Sequence, residues 1–325
     1  MLATRRDLLK LAAEARFETS SLEKVMRLGD LLGGIAEHAR LAQALVLKGG
    51  TALNLFFGLP TRLSVDLDFN YIGKLERSEM LRDRPLVESD IERIVAARGY
   101  ALQRSVDTHA GRTFNLSYRR IVDGLSDRIT LDVNFLHRQC LLQTEVRHMW
   151  QPSAPGGGPQ FPIVSFDELA AGKLIALLDR AAPRDAWDVS RLVSISDGRW
   201  PGSLSRSIFV AMAGVLPHPL HSYTLAGLSR IRDRDVKRLL HPLMIQERLP
   251  SGEDLRRRAG EALAPLLDLL SAEREYCDRL QRGELVPELL FPKDPELASR
   301  VASSPPLIWK ALNAKEHLGR REGVD

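Results

Sequence analysis

Apolar residues recur at helical spacing through the first forty residues, at Leu8, Leu9 and Ala12 and again at Met26, Leu28, Leu31 and Leu32. A stripe of that period buries one face of a helix, so residues 1–43 read as a helical lead-in packed on the core. From residue 44 the period shortens to two. "ALVLK" at 44–48, "RLSVDLDFNYI" at 62–72, "TFNLSYRRI" at 113–121 and "RITLDVNFL" at 128–136 have the apolar runs and alternation of strands. Helices are expected between them at 51–58 and 88–98. This mixture predicts a small sheet with helices around it, over residues 44–160. "PSAPGGGP" at 152–159 can continue neither helix nor central strand and reads as a loop. After it, Ser165 and Glu168 form the signature of a capping box that opens a helix running to about 181, and Pro183 suits the first turn of the next. The period stays helical to about 283, so residues 161–325 are expected to form a mostly helical C-terminal domain. The fold class is α+β.

Composition narrows the field without choosing a function. The 325 residues are 44% hydrophobic and 27% charged, the balance of a folded globular protein. No apolar run approaches the roughly 18–20 residues that span a bilayer, and "MLATRRDLLKLAAEARFE" reads as a charged amphipathic helix rather than a signal peptide. A cytoplasmic protein with no membrane partner is expected. The net charge of +4 is compatible with an anionic partner but does not require one. Cys140 and Cys277 stand far apart and are expected as free thiols.

The chemistry concentrates in "KGGTALNLFFGLPTRLSVDLDF" at 48–69. Strand alternation puts Arg62, Ser64, Asp66, Asp68 and Asn70 on one face and Leu63, Val65, Leu67 and Phe69 on the other. Two aspartates about 7 Å apart on one strand face repel, and aspartate is a poor strand former, so something should compensate. "RITLDVNFL" repeats the device, with Thr130, Asp132 and Asn134 opposite Leu131, Val133 and Phe135. If the two strands are neighbours, three carboxylates converge. Such oxygen-rich sites suit Mg²⁺ or Mn²⁺, which keep positions open for water and substrate phosphates. Each aspartate alone fits the solvated face of a half-exposed sheet more simply; the repetition, together with Gly49 and Gly50, reverses that preference. The glycines follow a strand and precede a helix beginning near Thr51, where backbone N–H groups can cradle phosphate oxygens.

The order strand, glycine pair, helix, Asp-x-Asp strand and later apolar-Asp-apolar strand resembles the nucleotidyltransferase fold of the polymerase β type. "DELAAGKLIALLDRAAPRDAWDVSRL" at 167–192 narrows the resemblance to the AbiEii/AbiGii toxin family of type IV toxin–antitoxin and abortive-infection systems, and "ELLFPKDPELASRVASSPPLIWKALNAKEHL" at 288–318 is similar to the tail of its longer members. The resemblance implies a Mg²⁺- or Mn²⁺-dependent transferase that moves NMP from an NTP to an RNA acceptor, the tRNA 3′ end where the acceptor is established, blocking translation. It also implies an AbiEi-like antitoxin as partner. By the same resemblance Gly49 and Gly50, with Thr51, match the first glycine motif and bind nucleotide. Asp66 and Asp68 match the metal-binding pair, and Asp132 the third carboxylate, as metal ligand or base. Lys173 and Arg180 match the Lys-Leu and arginine of the helix motif, contacting triphosphate, and Asp185 and Asp188 its closing Asp-x-x-Asp.

Physical reasoning leaves alternatives beside these roles. Lys173 and Arg180 share a helix face and could neutralise phosphate, or simply snorkel to solvent. Asp185 and Asp188 could orient Lys173 or accept a proton, and aspartates also favour helix N-termini. Ser64, two residues before Asp66, is a candidate regulatory residue, because a phosphate there would add negative charge beside the aspartates. His137 with Cys140, and His218 with His221, lack the second pair that zinc needs. Trp187, Trp200 and Trp309 read as packing residues. Competing functions are nucleotidyl transfer to a small molecule or protein, and a non-catalytic antitoxin-binding role.

Overall fold

Three helices open the chain: α1 (Arg5–Ala15), α2 (Thr19–Glu37) and α3 (Ala39–Ala44). The computed structural model describes residues 4–103, 106–154, 157–196, 198, 200–247 and 249–322. Residues 155 and 156 of the expected 152–159 loop lie outside the described residues. Thr4 caps α1 by accepting from the Asp7 N–H while Asp7 answers the Thr4 N–H. In α2 the helical stripe is buried as read, with Leu22, Val25, Leu28, Leu31 and Leu32 at 1% exposure or less. The same helix buries Arg27, which ion-pairs with Glu23 at 2.7 Å and lies over the Tyr118 ring at 3.9 Å.

The sheet begins with β1 (Leu45–Lys48), followed by α4 (Gly49–Leu55), β2 (Asp66–Tyr71), α5 (Arg77–Ala97), β3 (Ala101–Leu102), β4 (Val106–Thr108), β5 (Gly111–Arg119), β6 (Ser126–Asn134), β7 (Glu145–His148) and β8 (Gln160–Ile163). The eight strands run β3-β5-β6-β2-β1-β8-β7, with β4 paired to β5. The sheet is mixed: β2 runs parallel to β6 and β1 parallel to β8, while β1–β2 and β5–β6 are antiparallel. One face is apolar core, where Phe69 meets Phe161 edge-on at 5.6 Å and Tyr71 meets Phe135 at 5.3 Å.

The helical part comprises α6 (Phe166–Arg180), α7 (Pro183–Val189), α8 (Leu192–Ile195), α9 (Ser203–Ala213), α10 (Asp233–Leu239), α11 (Gly252–Leu267), α12 (Ser271–Gln281), α13 (Pro295–Ala302) and α14 (Pro305–Glu322). Ser165 caps α6 by accepting from the Glu168 N–H at 3.3 Å, and Pro183 opens α7 as read. Trp187 and Trp200 are buried, but Trp309 is 59% exposed, so the packing reading does not describe it. Both cysteines are free. Among the described residues no helix is long and apolar enough to cross a membrane.

The backbone forms two compact units, one of Met1–Val164 with Lys237–Leu249 and the other of Ser165–Val236 with Pro250–Asp325. The return of 237–249 to the first unit has a visible cause. Leu63 N–H donates to the Leu243 carbonyl at 2.7 Å, Arg62 and Met244 form an isolated bridge, and Ser21 donates to the Pro242 carbonyl at 2.9 Å. This pairing also corrects the expected strand at 62–72. Arg62 and Leu63 pair with the 237–249 segment, and β2 starts only at Asp66. Arg62 is 1% exposed and donates to the Leu63 carbonyl at 2.9 Å. Likewise the helix expected near Thr51 begins at Gly49.

Phe69 is fully buried on the face of β2 opposite the aspartates. Phe69→Ala should therefore lower unfolding stability by about 3–5 kcal/mol, measured by urea denaturation; a loss well under about 1 kcal/mol would contradict this placement of the core.

Candidate active site

Strand register assembles a row of side chains that no local sequence window contains. Lys48 on β1 stands opposite Asp68 on β2, Asp68 beside Asp132 on β6, and Asp132 opposite Thr113 on β5. Residues directly opposite in paired strands project to the same face. The row therefore reads Lys48, Asp68, Asp132, Thr113 across four strands, and Asp66 lies one alternation back on β2, beside Thr130. Burial follows the expected alternation, with Asp66 and Asp68 half-buried and Leu67 and Phe69 fully buried.

The row is electrostatically tight. Burial raises the Asp132 carboxyl above its usual range; the Thr113 hydroxyl, which donates to it, and the Lys48 charge act the other way, while Asp66 adds to the rise. Burial pushes the Lys48 ammonium down, opposed by Asp68 and Asp132. His137 is lowered to about 3, first by burial and then by the Lys48 charge, so its imidazole is neutral near pH 7. These mutual influences put Asp66, Asp68, Asp132, Lys48 and His137 in one charged neighbourhood.

The glycine pair abuts that neighbourhood. Gly49 has φ +74°, a left-handed conformation that glycine adopts without strain, and a β-carbon there would overlap the Asp68 Oδ2. Two independent constraints thus require glycine at this position. Gly50 is buried, its carbonyl accepting from Asn54 at 2.9 Å. Thr51 is fully buried and its hydroxyl donates to the Asp66 carbonyl, tying the first turn of α4 to the start of β2. That hydroxyl is committed to the fold, so any contact of Thr51 with nucleotide falls to its backbone N–H. Ser64 is 4% exposed and precedes β2, so the strand alternation that placed it on the aspartate face does not extend to it.

The donor set suits a hard divalent cation. Asp66, Asp68 and Asp132 offer carboxylate oxygens, and the upward push of Asp66 on Asp132 is the repulsion that a dication relieves. Among the described residues no three His, Cys, Asp or Glu side chains already converge at coordinating distance. Mg²⁺ or Mn²⁺ bound here would draw its carboxylate ligands from these three aspartates.

The remaining candidates belong to the second unit, where α6 and α7 bring them together. Lys173 Nζ lies 2.8 Å from Asp188 Oδ2 and 3.5 Å from Asp185 Oδ1. Arg180 forks onto the same Asp185, with Nε 2.6 Å from Oδ2 and Nη2 3.1 Å from Oδ1. The two carboxylate side chains are 1% and 0% exposed. The spacing arguments for a shared Lys173 and Arg180 surface and for an orienting Asp-x-x-Asp thus meet in one network, buried at Lys173, Asp185 and Asp188 and exposed at Arg180. The "RRR" at 256–258 is occupied within the same unit: Arg256 donates to the Ile231 carbonyl, Arg257 pairs with Asp254 and Glu261, and Arg258 lies over Trp187.

Sequence reasoning does not single out Lys48, Thr113 or His137 as members of this site. Lys48 carries one local signal, an ionisable residue ending an apolar run directly before the glycines. Thr113 carries none, because only register brings it to Asp132.

A family model described as "Nucleotidyl transferase AbiEii toxin, Type IV TA system" matches residues 30–264. Among solved structures, MenT4, a nucleotidyltransferase toxin from Mycobacterium tuberculosis H37Rv, superposes with a TM-score of 0.64 at 20% identity, over 92% of this chain and 98% of its own. JHP933 from Helicobacter pylori gives a TM-score of 0.49 at 20% identity, over 82% and 99%. No curated protein matches. The likeness to MenT4 shows a shared α+β fold.

The buried pairing and the depressed histidine each have a measurable consequence. Asp188→Ala leaves the buried Lys173 ammonium without that partner and should cost about 3–5 kcal/mol, whereas Lys173→Met with Asp188→Leu should cost clearly less than Asp188→Ala alone; equal losses in urea melts would contradict the pairing. His137 takes its proton at about 3 when folded but near 6.5 when unfolded, so the unfolded state binds the proton first and stability falls as pH drops from about 6.5 towards 3. His137→Gln should flatten that slope; an identical pH dependence of the urea midpoint would refute it.

Proposed function

The chain belongs to the AbiEii family of nucleotidyltransferase toxins of type IV toxin–antitoxin systems, and from that premise we propose that it transfers a nucleoside monophosphate from an NTP to an RNA acceptor, the tRNA 3′ end, blocking translation. The observation that carries the reading is the direct contact of the two motifs: the Asp68 carboxylate packs against Gly49, so a phosphate cradle and a carboxylate platform meet at one point. The Gly49 and Gly50 backbone N–H groups hold the triphosphate, and Asp66, Asp68 and Asp132 hold Mg²⁺ or Mn²⁺. When bound, such an ion polarises the phosphate and screens the charge of attacking and leaving oxygens.

In the reaction the acceptor hydroxyl oxygen bonds to the α-phosphorus, the bond from that phosphorus to the bridging oxygen breaks, and pyrophosphate leaves. The hydroxyl proton passes to a carboxylate. Asp132 suits that role, because the burial that raises its carboxyl also makes it a better proton acceptor. The family resemblance gives Lys173 and Arg180 a triphosphate contact and Asp185 and Asp188 a supporting or base role. Their mutual pairing, buried at Lys173, Asp185 and Asp188, supports a positioning role within the second unit. Membership in the family also supports an antitoxin as partner.

Incubating the protein with each α-labelled NTP, Mg²⁺ and total RNA tests the reading. Label should appear in tRNA, and Asp66→Ala or Asp68→Ala should reduce the rate by at least about 10²–10³-fold with folding retained by circular dichroism. Label in a small molecule or protein would redirect the acceptor assignment. Unchanged labelling by Asp66→Ala would reject the site.

A further inference from the structure

We propose that Lys48 is a built-in counter-cation of this site: its ammonium neutralises Asp68 and Asp132 while no divalent cation is bound, and the two cations compete for the same carboxylates. The inference rests on the reading of Asp68 and Asp132 as metal ligands and adds a residue that reading did not use.

Geometry carries it. Lys48 and Asp68 are directly opposed across an antiparallel pair, and Asp68 and Asp132 are in register across a parallel one. Opposed β-carbons in such pairs are about 4.5–5.5 Å apart, well within the reach of a lysine side chain. Asp68 leans towards the β1 end of the row, since its Oδ2 occupies the space that a β-carbon at Gly49 would fill. At the other end the Thr113 hydroxyl donates to Asp132. The carboxylate pair is thus bracketed by a neutral donor and a cation, and Lys48 is the charge aligned in register with it. Two desolvated carboxylates without a cation repel strongly, so the row needs one in either state. Because Lys48 directly precedes Gly49, an ammonium released from the carboxylates remains next to the phosphate cradle.

The test needs no turnover. Mn²⁺ is titrated without nucleotide into the wild type, Lys48→Met, Lys48→Arg, Asp68→Asn and the Lys48→Met/Asp68→Asn double variant, with free Mn²⁺ read by electron paramagnetic resonance, and thermal unfolding is followed in EDTA and in Mn²⁺. Lys48→Met should bind Mn²⁺ at least tenfold more tightly than the wild type, while Lys48→Arg behaves as wild type. In EDTA, Lys48→Met should melt several degrees lower, and either Mn²⁺ or the added Asp68→Asn should restore the loss. If Lys48→Met does not fold without metal, folding of the double variant in EDTA decides in favour and its failure to fold decides against. Equal or weaker Mn²⁺ binding by Lys48→Met overturns the proposal, as does an EDTA instability that neither Mn²⁺ nor Asp68→Asn repairs, which would mark Lys48 as a packing residue. Should Asp68→Asn leave Mn²⁺ binding unchanged, the metal-ligand reading itself fails and the proposal falls with it. Weakened binding in Asp68→Asn with no gain in Lys48→Met overturns the counter-cation alone.

Discussion

Three carboxylates on one face of a sheet are a standing electrostatic cost, and the first unit is organised around meeting it. Asp66, Asp68 and Asp132 are held close by strand geometry rather than by flexible loops, so they cannot relax their repulsion by moving apart. The fold answers with the Thr113 hydroxyl on one side and the Lys48 ammonium on the other. It also leaves Gly49 without a side chain where the Asp68 carboxylate must fit. Under the proposed reading, a divalent cation would relieve the repulsion among these carboxylates. The opposite face of the same strands carries Phe69, Phe161, Tyr71 and Phe135, whose packing fixes the platform that the aspartates stand on.

The second unit meets a similar problem differently. Asp185 and Asp188 are buried almost completely and are paired with Lys173 and Arg180 within hydrogen-bonding reach. Such a network is costly to break and adds little if merely present. Its value lies in fixing α6 against α7, and with them the cations that the family resemblance associates with triphosphate. Thr51 shows the same economy in the first unit: its hydroxyl serves the backbone at Asp66, so that the loop between glycines and aspartates closes at both ends.

Much of this is legible in the sequence because it is local. The period of two in "VDLDF" is a statement about neighbouring residues, and β2 buries Leu67 and Phe69 and half-exposes Asp66 and Asp68 as read. Ser165 and Pro183 mark helix starts by chemistry confined to one turn. What stays hidden is non-local. The alternation in "RLSV" extends the strand reading back to Arg62, yet Arg62 and Leu63 pair with Met244 and Leu243 and no local pattern announces them. The same extension is what puts Ser64 on the aspartate face. Lys48 and Thr113 join the site only through register, which depends on pairing across the whole sheet. Trp309 shows that an apolar residue in a helical pattern need not be covered.

If Asp66, Asp68 and Asp132 form one metal platform beside the Gly49–Gly50 cradle, metal and triphosphate must be found there together. A crystal structure of the protein soaked with Mn²⁺ and a non-hydrolysable NTP analogue, with the metal located by anomalous scattering, decides the matter. A manganese peak bound by Asp66 and Asp68 is expected, with Asp132 alongside and the triphosphate against the Gly49 and Gly50 backbone. Manganese elsewhere, or a triphosphate bound away from the glycine pair, would contradict the platform.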